Sequence, residues 1–186
     1  MKKVLTMACA LALVAAATAG AIGLPGGGGK VDTKKFDALI ASIDEVSAAL
    51  ATAKGKIDAG TATLAAIAEA HGIADLMSDP TKAVALKEAI TDEEKATLQE
   101  QGEIIKTVPD DLNAAAQKAA EILGKIPDAL TDLANQITAN PMAAAGLKDK
   151  KDKLDKGKTV LEEVAADVPA LVESATNLAS TIAGLI

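Results

Sequence analysis

Apolar residues recur every seven positions at Ile105, Leu112, Ala119, Ile126 and Leu133. A second set, Val108, Ala115, Ile122 and Leu130, follows three or four residues behind. Together they form the stripe of an amphipathic helix. Pro109 and Pro127 fall inside the stripe without shifting its phase. The pattern predicts a long Ala-rich arm, kinked or restarted at each proline, that needs partner helices to cover it.

Two further stretches carry the same signal. From Phe36 a seven-residue series runs through Ile43, Leu50, Ile57, Leu64 and His71. Its companion set is Leu39, Val46, Ala53, Gly60, Ile67 and Ala74. An unbroken helix from Thr33 to Met77 would be about 65 Å long. Gly55, Gly60 and Gly72 each weaken it by about 1 kcal/mol relative to Ala, so a break near Gly60 is an alternative. The last arm reads Leu147, Leu154, Leu161, Val168, Ala175 and Ile182, with Val164, Leu171, Leu178 and Leu185 beside them.

Punctuation separates the arms. Ser78-Asp79-Pro80 is a stop and start, followed by a short helix over Thr81–Ala89. Thr91 with Glu94 three residues on is a capping box. Ala139-Asn140-Pro141 ends the middle arm, and Gly146 is read as the end of the Ala-rich turn after it. The expected fold is all-α: an elongated antiparallel helical bundle of three long arms with a short connecting helix. It becomes a four- or five-helix bundle if the arms break at Gly60 or at the prolines.

Composition supports that architecture. The chain has 42 Ala among 186 residues, one Phe, and neither Trp nor Tyr. Narrow helix seams suit such side chains, whereas sheets favour aromatic and β-branched residues. The cations are all Lys, and the formal charge is −7. Without Arg, without aromatics to stack bases, and with a negative balance, nucleic acid is excluded as a partner class.

Residues 1–21 read as a secretory signal. Lys2 and Lys3 precede an uncharged apolar run, and Ala17-Thr18-Ala19 and Ala19-Gly20-Ala21 fit small-x-small cleavage. The alternative is an uncleaved anchor, because Val4 to Leu24 is 21 residues without a charge. Cys9, the lone cysteine, belongs to the signal's apolar core. Lipidation there is disfavoured by the short run before it. Residues 22–30, with Gly26 to Gly29 after Pro25, read as a flexible linker rather than a phosphate loop. Residues 31–186 form the bundle domain. The expected location is exported, in the periplasm or outside the cell.

The search for chemistry finds no catalytic, cofactor-binding or metal-ligating set, so the chain reads as a non-enzyme. His71 with Asp75 four residues on is two ligands at most, too few for a zinc or iron site. The preferred reading places His71 at a seam edge, paired with Asp75 or hydrated. Asp149, Asp152 and Asp155 are spaced as a helix surface stripe, not as a calcium loop. No paired Glu-x-x-His of a di-iron bundle is present. The expected function is structural or protein-interacting, by self-association or with a protein partner in the cell envelope. The alternative is a lipid or apolar-ligand binder hinged at its Pro and Gly residues. Its peripheral membrane contact would be the uncharged segment Leu171–Ile186, which can instead dock in the bundle.

Overall fold

The computed structural model describes residues 33–73, 76 and 81–186. The expected signal (1–21), the expected linker (22–30), Asp75 and the Ser78-Asp79-Pro80 boundary lie outside them. Four helices follow in order: α1 (Lys34–Ala70), α2 (Thr81–Ala89), α3 (Asp92–Ala139) and α4 (Ala144–Leu185). A 3-10 turn, Pro141–Ala143, joins α3 to α4. The fold is an all-α helical bundle, and α3 alone spans about 72 Å at 1.5 Å per residue.

Contacts between the arms fix the topology. Lys35 near the start of α1 pairs with Asp132 near the end of α3, and His71 after α1 meets Glu94 in the first turn of α3. These two helices are therefore antiparallel. Asp37 pairs with Lys150, and Lys54 with Asp167 at 2.9 Å, so α1 and α4 run parallel. The result is an up-down-up bundle, with α2 packed against the last turns of α4.

The seven-residue series becomes the core. Ile105, Leu112, Ala119, Ile126 and Leu133 of α3 are buried, as are Leu147, Leu154, Leu161, Val168, Ala175 and Ile182 of α4. Phe36, Ile43, Val46, Ala53, Ile57, Leu64 and Ile67 supply the α1 side. Burying each large side chain contributes roughly 1.5–3 kcal/mol. No polar or charged residue is buried among the described residues. Hydroxyl residues stay on the outer faces and bond back to the preceding turn, as Thr63 Oγ1 does to the Ala59 carbonyl at 2.9 Å.

The ends of the helices have local causes. At α1, Gly72 adopts φ +69°, its N–H donates to the Glu69 carbonyl at 2.9 Å, and Ile73 N–H donates to the Ala68 carbonyl at 2.8 Å. This Schellman arrangement satisfies the last carbonyls and needs a residue tolerant of left-handed backbone, which glycine is. The helix thus stops at Ala70, short of Met77. Gly60 does not break it. A Cβ there would sit 3.0 Å from Ile105 Cδ1 and 3.2 Å from Leu178 Cδ2, so the glycine admits two neighbouring side chains. Gly102 of α3 faces Ile182 of α4 in the same way at 3.2 Å, and Gly157 of α4 faces Ile43 of α1 at 2.5 Å. Each long helix gives one glycine to an isoleucine of another, and the three close contacts form a cycle.

The prolines do not break the arms either. Pro109 and Pro127 lie inside α3, and Pro169 inside α4. Each removes one N–H from the ladder. Pro127 and Pro169 sit on the exposed faces of their helices, away from the packed seams. Of the sequence alternatives, the unbroken long arms are the ones formed. Gly146 lies within α4 and does not end the turn, because the 3-10 turn is only three residues and α4 begins at Ala144.

Candidate functional site

The densest polar constellation joins the end of α1 to the start of α3. Thr91 caps α3 with extended backbone, and its Oγ1 accepts the Glu94 N–H at 3.3 Å. Glu94 reaches back: its Oε2 accepts the Thr91 N–H and the Thr91 hydroxyl, both at 2.8 Å. This is the reciprocal capping box expected from the sequence. Across the junction, His71 Nε2 stands 3.0 and 3.1 Å from the two Glu94 oxygens. The two side chains are 22% and 25% exposed, so the pair is partly shielded from water.

Glu94 is therefore held strongly in its charged form. The Thr91 backbone N–H, then His71, then the Thr91 hydroxyl hold its carboxyl down at about 2, against an ordinary 4.5. Each donor favours the carboxylate over the acid. A histidine oriented by a carboxylate is a layout that general-base catalysis uses. Here the remaining donors to that carboxylate are the cap groups of a helix, so the geometry joins two helix ends.

Asp75, the partner that helical spacing suggests, lies outside the described residues. Within them, His71 meets Glu94, 23 positions on. Nothing local signals that meeting, because it depends on α3 returning alongside α1. Of the candidate calcium residues, Asp149 pairs with Lys153 at 2.9 Å and Asp155 with Lys151 at 2.6 Å, both along the surface of α4. The Asp155 hydrogen bond raises the Lys151 ammonium above its usual range. Among the described residues no three metal-ligating side chains gather.

Two shallow grooves mark the surface. One, of about 710 Å³, lies between α1 and α3 and is lined by Lys56, Gln99, Glu100, Glu103 and Ile104 among others. The other, about 380 Å³, separates α2 from the end of α4, with Leu76, Ala83, Val84 and Lys87 facing Ser180, Thr181 and Gly184. Lys87 Nζ donates to the Gly184 carbonyl at 2.9 Å. That cation sits at the negative end of α4, whose own last turn has no basic residue. The segment Leu171–Ile186 docks in the bundle: Ala175, Leu178, Ile182 and Leu185 are at most 1% exposed.

Sequence reading missed two of these features. Lys87 had no local signal. Gly157 did, because it sits seven residues before Val164 and so belongs to the α4 stripe. Comparison of the chain with protein-family models, curated proteins and solved structures finds no significant match.

Proposed function

We propose that this is an exported, non-catalytic helical-bundle protein with a structural or protein-interaction role in the cell envelope. The observation that carries the reading is the way three long helices use their apolar stripes on one another. What remains outside is a rod about 70 Å long. Its outer faces are Ala-rich and charged, suited to contact along its length with a second copy or another protein. The signal-like residues 1–21 supply the route out of the cytoplasm.

Fractionation of cells expressing the full chain, with N-terminal sequencing, tests the first half. Processing near Ala19 or Ala21 and recovery from the envelope or periplasm is the expected result. Light scattering and cross-linking in envelope extracts test the second. A chain that stays in the cytoplasm, or a strict monomer that binds no envelope protein, overturns the proposal. Liposome flotation separates it from lipid or apolar-ligand binding. In the bundle Leu178, Ile182 and Leu185 face the core, so vesicle binding would require the helices to open.

A further inference from the structure

The end layer of this bundle is buried where a bare three-helix rod would be wet. Leu98 sits in the second turn of α3 and Leu185 is the last residue of α4, yet both are fully buried. Gly102 meets Ile182 one turn deeper, which places Leu98 and Leu185 in the layer beyond it. Beside that layer lie α2 and its flanks: Leu86, Ile90 and Leu76 are at most 6% exposed and join the same core cluster, and α2 packs on α4 next to Leu185, where Lys87 meets Gly184.

This packing is light. The helix α2 has nine residues, of which Leu86 alone is buried. Isolated helices below about 12–15 residues are marginal in water, so α2 depends on its docking. An open groove separates it from α4, and Val84 on the rim of that groove is 65% exposed. Lys87 on the Gly184 carbonyl is a polar anchor at that groove. Meanwhile the ends of α1 and α3 are tied to each other by His71 and Glu94, through atoms that α2 does not supply.

We infer that α2 is a plug: it leaves the end of the bundle as a unit while the three long helices stay packed, and its release uncovers Leu98. Short elements with few buried contacts open at the low end of a protein's stability range, ahead of global unfolding. The His71–Glu94 tie keeps the mouth of the connection closed during that opening, so the uncovered surface is confined to the end layer.

Thiol labelling reads this directly. Leu86→Cys, Leu98→Cys and Ile126→Cys are made one at a time in the full chain, and peptide mapping keeps any label on Cys9 out of the count. Leu86→Cys and Leu98→Cys are expected to label at similar rates, on the order of 100-fold faster than Ile126→Cys in the closed middle of α3. Lys87→Ala should speed both end-layer positions together, by several-fold, and leave Ile126→Cys unchanged. Hydrogen exchange on the unsubstituted chain guards against misfolded variants: amides of residues 81–89 should exchange without the denaturant dependence of the α3 seam. Labelling of Leu86→Cys no faster than Ile126→Cys overturns the plug. Fast Leu86→Cys with slow Leu98→Cys also overturns it, as fraying that uncovers nothing.

Discussion

Two rows on the same helix show how differently the arms are joined. Along α3, Asp111, Lys118 and Asp132 recur at multiples of seven and pair with Lys56, Glu45 and Lys35 of α1. On the other side of the same stripe, Ala116, Leu123, Leu130 and Ile137 recur at seven and pack half-buried against the core. That second row continues back to Gly102, which meets Ile182, so it lies toward α4. α4 answers with Val172 and Ala179 on one flank and Asp167, paired to Lys54, on the other. Among the described residues, every ion pair between helices has one partner on α1 or its cap. The α3–α4 hairpin has a wide apolar seam, and α1 is laid on it with a charged border.

The difference assigns separate duties. A wide apolar seam supplies stability without choosing a register sharply. Exposed ion pairs contribute little energy, but they penalise a slipped or reversed helix. The α3–α4 unit forms through a three-residue turn, so its closure costs little entropy. α1 must return across the longer connection that contains α2, and it is the arm carrying the most explicit register marks.

Substitutions can break or sharpen this contrast. The largest effect is expected in the hairpin seam, where Ile126→Ala or Leu161→Ala should cost about 2–5 kcal/mol in chemical denaturation. Both side chains are fully buried. Next comes the α1–α4 contact. Gly157→Ala places a methyl 2.5 Å from Ile43 Cδ1 and 3.2 Å from its Cγ2. The overpacking should outweigh the helix propensity gained and leave a net loss of about 1 kcal/mol. Adding Ile43→Val removes Cδ1 and should recover part of that loss, which a double-mutant cycle would detect. Gly55→Ala and Gly124→Ala meet nothing within 4 Å and should stabilise by up to about 1 kcal/mol.

Thr91→Ala should cost about 1 kcal/mol through the lost cap. The capping box also sets a pH dependence. The Glu94 carboxyl is depressed in the folded state, so its contribution is complete above the ordinary value of 4.5. It is lost as pH falls from there through about 2. Acid titration of stability should therefore decline across that window, and Glu94→Gln should flatten part of the decline. Smallest of all, Lys56→Ala or Lys54→Ala should each cost less than about 1 kcal/mol, and less still in high salt. A larger loss at these lysines than at Ile126 would refute the division of duties.

Much of this was legible in the residues. The α3 stripe, the capping box at Thr91 and the bounds of α2 follow from periodicity and cap chemistry, which act within one or two turns. Gly60 was ambiguous for a physical reason. Its cost as a helix breaker is visible in sequence, while its benefit depends on Ile105 and Leu178 arriving from two other helices. The His71–Glu94 contact is invisible for the same reason: helical spacing offers only a partner four residues on, whereas Glu94 arrives on α3. The charged row on α3 was present as spacing, but which neighbour it faced required the topology.

The up-down-up course has a mechanical consequence. With an odd number of long passes, Lys34 and Leu185 emerge at opposite ends of the rod. A load applied between those two points acts along the helix axes. It must slide three interlocked seams past one another at once, glycine cycle included, instead of peeling one helix away from an end. An even-numbered hairpin bundle of the same residues would bring both points to one end and unzip turn by turn. The arrangement therefore meets tension in shear, across all three seams together.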